Sequence, residues 1–166
     1  PGDCASEEGV RALVDAATAT LGRIDLYLAN AGIDGGPLGE QVDSLQTSDE
    51  VWSRVLETNV MAHVRAARAV VPGWLESGGG RFVVTASAAG LLTMIGSAPY
   101  SVTKHGAVAF AEWLSVTYGH RGVTVQAICP QGVQTRMLEE SGPLQELLTR
   151  DAAISPDDVA EAALAG

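Results

Sequence analysis

The stretch SAPYSVTKHGAVAF carries Tyr100 and Lys104 four residues apart, and Lys104 is the only lysine in a chain whose other basic residues are arginines. On a helix, residues i and i+4 share a face, so a phenol and an ammonium placed this way can both reach one ligand. The use of lysine is informative. Its ammonium is a compact charge with a tunable pKa, whereas a guanidinium stays charged and spreads its donors over a planar fork. The structural alternative is a surface lysine packing its stem on an aromatic neighbour. Ser87 ends the apolar run RFVVTAS, ahead of Tyr100 in sequence; its plain alternative is a turn serine at a strand end. Asn59 falls mid-helix in LETNVMAH. Asparagine is a poor helix residue because its side chain competes for backbone hydrogen bonds. There it opens the helix ladder, holds a water, or sits exposed at small cost.

Other chemistries find no support. The sequence has no G-x-S-x-G elbow, no phosphate-binding G-x-x-x-x-G-K-[ST] loop and no H-E-x-x-H pair. His63, His105 and His120 lack metal-ligand spacing, as do Cys4 and Cys129, so no metal site is expected and the cysteines read as two free thiols in a reducing compartment. A net charge of -10 argues against a nucleic-acid partner, which requires a basic face. No apolar run approaches the ~20 residues of a membrane span. The polar, acidic start PGDCASEEGV does not read as a secretory signal, and a cytoplasmic location is expected.

These residues sit in an alternation of helical and strand patterns. SEEGVRALVDAATATLG reads as a helix capped by Ser6 and stopped by Gly22. IDLYLAN is a buried strand, followed by the glycine-rich loop AGIDGGPLGE. A long helix is expected from about Ser48 to Leu75, ended by Pro72 and the run Gly78-Gly79-Gly80. RFVVTAS is the next strand and LLTMIGSAP a loop. Pro99 to about Tyr118 is a helix, VTVQAIC a strand, and SPDDVAEAALAG a helix with Ser155 as cap and Pro156 in its first turn. Apolar strands separated by helices imply an α/β fold with a parallel sheet covered on both faces. Such sheets bind ligands beyond the carboxyl ends of their strands, which draws attention to Asn30, Ser87 and Pro130.

As a set, these features resemble the short-chain dehydrogenase/reductase family. The match runs through Asn30-Ala31-Gly32 closing a strand, Asn59 in the following helix, Ser87, Tyr100-x-x-x-Lys104 and the PQGVQT stretch from Pro130 to Thr135, in the family's order. The resemblance implies a Rossmann-like doubly wound sheet and an NAD- or NADP-dependent oxidoreductase acting on an alcohol or ketone. It also implies roles. Tyr100 would be the general acid/base, a task for which a phenol of pKa near ~10 is too weak at neutral pH, so Lys104 would lower that pKa. Ser87 would hold the substrate oxygen. Lys104 would also bond the nicotinamide ribose, and Asn59 would hold a water linking Lys104 to solvent. Asn30, Ala31 and Gly32 would line the adenosine ribose side. Val133 would offer its backbone and Thr135 its hydroxyl to the carboxamide, next to Pro130. Asp3 would cap the adenine. The family's dimer or tetramer contacts imply self-pairing through helices 48–75 and 99–118.

The sequence departs from the family at its start. The Thr-Gly-x-x-x-Gly-x-Gly turn that cradles the pyrophosphate is not found among these glycines. Gln131 stands where the family more often has glycine, with Gly132 one place on. Residues 1–166 are therefore expected to be a single domain, the C-terminal two-thirds or so of such a fold, with its first strands missing. IDLYLAN would then be an exposed apolar edge, and the chain as written would bind dinucleotide poorly. The alternative is an inactive fragment, or a non-catalytic dinucleotide-binding or assembly relative. The loops at 33–40, 91–99 and 136–154 would shape the substrate pocket. Their apolar character leans towards an uncharged alcohol or ketone.

Overall fold

A computed structural model describes residues 2–35, 44–141, 149 and 153–166. Three parallel strands, β1 (Leu26–Ala29), β2 (Gly80–Thr85) and β3 (Val123–Ile128), form one sheet in the order β1-β2-β3. Register runs Leu28 to Val83 and Val83 to Gln126. Helix α1 (Glu7–Leu21) precedes β1. Between β1 and β2 run α2 (Asp49–Leu56), a π turn (Glu57–Met61) and α3 (Ala62–Ser77), end to end. Helix α4 (Ala98–Tyr118) links β2 to β3. Among the described residues, two shorter helices follow, α5 (Arg136–Glu139) and α6 (Pro156–Ala165). The expected α/β class and parallel sheet are present.

Strand residues Phe82, Val83 and Val84 are fully buried, as the apolar run requires of a strand covered on both faces. Phe82 stacks on Tyr27 and meets Trp74 edge-on. Each such side chain contributes about 2–3 kcal/mol of burial. From α1, Val10 and Val14 face this core; from α4, Ala107, Ala111 and Leu114 do. Strand β1 lies at the sheet edge with Leu28 half exposed, the apolar edge expected of IDLYLAN but not the buried strand its apolar run predicts: only Ala29 is buried, because β2 alone pairs with it among the described residues.

Of the two stops expected for the helix ending near Leu75, Pro72 does not act and the glycine run does: α3 continues through the proline to Ser77. Proline forfeits one backbone bond and crowds the preceding turn. Trp74 offsets this: its side chain is buried and its Nε1 donates to the Ile24 carbonyl at 2.6 Å. The true stop is Gly78, at φ 93°. Arg23 then donates to the Ser77 and Gly79 carbonyls, closing the helix end against the start of β1. Helix α6 has the expected cap, with Ser155 and Asp158 forming a reciprocal capping box.

Candidate active site

The carboxyl ends of β1 and β2 and the first turns of α4 converge on one point. Helix α4 begins with Pro99 in its first turn, a position where the missing N–H costs nothing. It buries Tyr100 and Lys104 on one face, with 8% and 3% of their surfaces exposed. The Lys104 ammonium lies 5.6 Å from the centre of the Tyr100 ring and donates to the Thr85 carbonyl, at the end of β2, at 2.9 Å. The surface-lysine alternative is therefore ruled out by burial. Ser87 hydrogen-bonds the Tyr100 side chain and also accepts from the Ala89 N–H at 3.1 Å, which fixes its hydroxyl at the mouth of a short 3-10 turn, Ala88–Gly90.

Asn59 is fully buried inside the π turn. Its Oδ1 accepts from the Ile33 N–H at 2.8 Å, and its Nδ2 donates to the Ile33 carbonyl at 2.8 Å and to Thr103 Oγ1 at 3.1 Å. The ladder is open there, as the residue type foreshadowed. The side chain clamps the loop after β1 to α4, a structural task beside the expected one of holding a water linked to Lys104.

Gly32 sits in that loop. A Cβ added to it would lie 3.1 Å from Lys104 Nζ and 3.5 Å from Asn59 Oδ1. Asn30 Oδ1 accepts from Thr85 Oγ1 at 2.9 Å, and Ala31 is half-buried between the two. The Pro130 carbonyl accepts from the Ala88 N–H at 2.8 Å, which ties the end of β3 to the turn after Ser87. Of the residues expected from sequence, Asn30, Asn59, Ser87, Tyr100, Lys104 and Pro130 fall within one hydrogen-bonded neighbourhood, with Gly32 beside Lys104.

Three other residues lie outside it. Asp3 folds its carboxylate back onto the Ala5 N–H at 2.9 Å, in the turn that opens α1. Val133 pairs with Ile154 in an isolated bridge, and its carbonyl accepts from Thr135 Oγ1 at 3.2 Å. The backbone of Val133 and the hydroxyl of Thr135, both expected at a carboxamide, thus stand side by side. The pocket-shaping segments at 33–40 and 136–154 fall partly outside the described residues.

Electrostatics differ from the simplest expectation. Burial raises the Tyr100 phenol above its ordinary range; the Ser87 hydrogen bond lowers it, and the Asp34 carboxylate raises it further. Lys104 is not among the groups that shift Tyr100; burial brings Lys104 itself down to about 8, opposed by the charge of Cys129. His63, one turn beyond Asn59, is buried with Nε2 unbonded, and burial followed by the Lys104 charge lowers it to about 4.

Thr85, Thr103 and Gly90 were not singled out from sequence. A Cβ on Gly90 would lie 2.7 Å from the Lys104 carbonyl oxygen and 2.9 Å from Val108 Cγ2. Glycine there lets the turn that carries Ser87 sit directly on α4. The only sequence signal was a glycine shortly after Ser87. Among the described residues, no His/Cys/Asp/Glu group could hold a metal, and no helix is long and apolar enough to cross a membrane.

Comparison with known proteins turns this geometry into a kinship. A family model described as short chain dehydrogenase matches residues 1–146. The chain belongs to the short-chain dehydrogenase family. Within that family it is 35% identical over 145 residues to a Mycobacterium tuberculosis protein named as an uncharacterized NAD-dependent oxidoreductase, covering 86% of this chain and 50% of that one. It is 32% identical over 136 residues to a cyclohexanol dehydrogenase of an Acinetobacter species, covering 82% and 53%. Among solved structures, an F189W variant of actinorhodin polyketide ketoreductase with NADPH superposes at a TM-score of 0.87 and 31% identity, over 99% of this chain and 68% of that one. The chain spans about half the length of the curated short-chain dehydrogenase relatives it matches.

Proposed function

We propose that residues 1–166 form the catalytic and substrate-side part of a single nicotinamide-dependent oxidoreductase domain that interconverts an alcohol and a ketone. The observation that carries this reading is the convergence of Ser87, Tyr100 and Lys104 from two elements on one buried point. Tyr100 gives its phenol proton to the carbonyl oxygen in reduction and takes the hydroxyl proton in oxidation. Burial keeps the phenol protonated at neutral pH, the form a reduction needs. Ser87, already bonded to Tyr100, orients the substrate oxygen beside it. Lys104 supplies a positive charge that grows in value as phenolate forms in a dry site.

The residues fit the nicotinamide end of NAD or NADP. Lys104 donates a hydrogen bond to Thr85 and has further N–H groups to offer, and the missing Cβ of Gly32 leaves room beside Nζ. When bound, the nicotinamide supplies or accepts the hydride. Lys104 and Tyr100 would hold its ribose, and Pro130, Val133 and Thr135 its carboxamide. Asn30, Ala31 and Gly32 would line the adenosine ribose side, with Asp3 at the adenine. Relatives named as NAD-dependent and as bound to NADPH support both coenzymes.

A homodimer or homotetramer is proposed through helices 48–75 and 99–118. Leu56 on α2 and Val102, Trp113 and Val116 on α4 are exposed, and such apolar surface marks contact sites. The location proposed is cytoplasmic. The experiment is coenzyme consumption by the natural polypeptide with NADH or NADPH and a panel of neutral ketones. Turnover with one coenzyme supports the proposal. Failure to bind either coenzyme by calorimetry contradicts it.

A further inference from the structure

Arg65, on α3, ties the turn that opens α1 to the π turn that holds Asn59. Its Nη1 donates to the Ala5 carbonyl at 2.5 Å and its Nη2 to Glu57 Oε2 at 2.5 Å. The Arg65 side chain is only 15% exposed, so the pair is shielded from the water that weakens most surface ion pairs. Glu57 and Arg65 are eight residues apart. On a regular α-helix residues seven apart share a stripe, and the eighth lies about 80° away. The π turn (Glu57–Met61) inserts one residue between them and returns both to one stripe. The ion pair and the π turn therefore support each other. Inside the span that Arg65 straps, the Ala62 N–H reaches back to the Glu57 carbonyl.

The bonds run on in both directions. At one end, the Asp3 carboxylate accepts from the Ala5 N–H at 2.9 Å, and Ser6 Oγ donates to the Asp3 carbonyl at 3.3 Å. Gly9 lets this turn sit on α1, since a Cβ there would lie 2.0 Å from the Asp3 carbonyl oxygen. At the other end, Asn59 holds both polar groups of Ile33 and donates to Thr103, the neighbour of Lys104. Hydrogen bonds and short backbone segments thus lead without a gap from Asp3 through Ala5, Arg65, Glu57 and Asn59 to α4.

We propose that Arg65 is a positioning residue that couples occupancy of the Asp3–Ser6 turn, by the adenine end of a dinucleotide, to the setting of Asn59 and so of the helix that carries Tyr100 and Lys104. This rests on the reading of Asp3 as the adenine contact and of Tyr100 as the proton donor. Binding energy from a remote, unreacting part of a substrate is commonly used to set the reacting end. A guanidinium suits the task, because its rigid fork fixes two partners at once where an ammonium is a point charge. Contiguity by itself is not coupling: both ends must bias one element, here the π turn.

The test reads that element without turnover. Amide hydrogen exchange of the natural polypeptide is followed at Ala62, which closes the π turn, and at Ile33, held by Asn59, with and without saturating AMP as the probe of the adenine end. AMP is expected to slow both amides at least about threefold in the wild type and to slow neither in Arg65→Met or Glu57→Ala. Glu57→Ala keeps the bond from Arg65 to Ala5 and serves alone if Arg65→Met does not fold. Wild-type exchange unmoved by AMP, or an equal slowing in the variants, overturns the proposal. A second readout separates coupling from stability: kcat for ketone reduction with the preferred reduced dinucleotide against reduced nicotinamide mononucleotide, which lacks the adenylate. The wild type is expected to favour the dinucleotide by at least about 100-fold, and each variant to shrink that ratio at least about tenfold. A ratio unmoved while both rates fall marks damage to the fold and overturns the coupling. AMP-dependent exchange in a wild type that reduces no ketone with NADH or NADPH keeps the coupling and overturns the oxidoreductase reading instead.

Discussion

Asn59 and Thr103, 44 residues apart, share a buried hydrogen bond of 3.1 Å that fastens the π turn to α4. Through the same side chain Asn59 holds both polar groups of Ile33. One asparagine thus joins the loop after β1 to the helix that carries Tyr100 and Lys104. Asn59→Ala removes all three bonds and leaves buried donors and acceptors unmet, each worth about 1–3 kcal/mol. The expected loss is about 3 kcal/mol in denaturant unfolding, with the slope unchanged. Asn59→Asp should be no milder, because an oxygen would replace the Nδ2 donor that faces the Ile33 carbonyl.

Lys104 gives a second test, through alkaline stability. Its folded pKa, about 8, lies below the unfolded value of about 10.4. Between these values the unfolded chain holds a proton that the folded one has lost, so stability rises with pH across that window. Below about pH 8 the charged, desolvated ammonium carries its full penalty, on the order of 3 kcal/mol. Lys104→Met is expected to abolish the rise between pH 8 and 10.4. A wild-type stability that is flat there, in chemical unfolding at stepped pH, contradicts the burial argument. The same titration predicts an alkaline limb in kcat/KM near pH 8, where the ammonium loses its charge.

His63 acts on the acid side. It is lowered from its ordinary value to about 4 by burial and by the Lys104 charge. The unfolded chain takes up a proton near pH 6.5 that the folded chain refuses, so stability is full above 6.5 and falls as pH drops towards 4. The loss approaches 3 kcal/mol, again on the order of the pKa difference. His63→Gln should flatten this limb in unfolding curves taken between those pH values; an unchanged limb assigns acid sensitivity elsewhere.

Gly90→Ala tests the seat of Ser87. The new methyl would meet the Lys104 carbonyl oxygen at 2.7 Å, backbone against side chain with little room to yield. The Ala88–Gly90 turn must move off α4 and take Ser87 with it. We expect turnover to fall at least tenfold, since small displacements of a positioning group cost heavily. Wild-type turnover with normal KM would show that the turn relaxes without moving Ser87.

Much of the site was legible because its chemistry needs unusual choices. A sole lysine four residues after a tyrosine, an asparagine inside a helix and a serine at a strand end each break a local preference, and each lies in the bonded set. The sheet was legible from its apolar runs. Contacts that depend on close approach were not. Thr85 offers Lys104 a backbone carbonyl, which any residue type would supply. Gly90 matters for the Cβ it lacks, and a lone glycine in a loop has many explanations. The end of α3 was legible in its glycine run, whereas the proline signal was outweighed by the tertiary anchoring of Trp74. Neither the direction of the Tyr100 shift nor the weight of Asp34 could be read without knowing what is buried beside them.

The most direct test of the central claim is the kcat/KM of Tyr100→Phe against wild type in coenzyme-linked ketone reduction, with the melting temperature as control. Removing the phenol oxygen leaves the packing of the ring, so the fold is expected to persist. The account requires a fall of at least about 100- to 10,000-fold, the span of a lost general acid. Turnover by Tyr100→Phe at the wild-type rate would show that the proton comes from elsewhere and would contradict it.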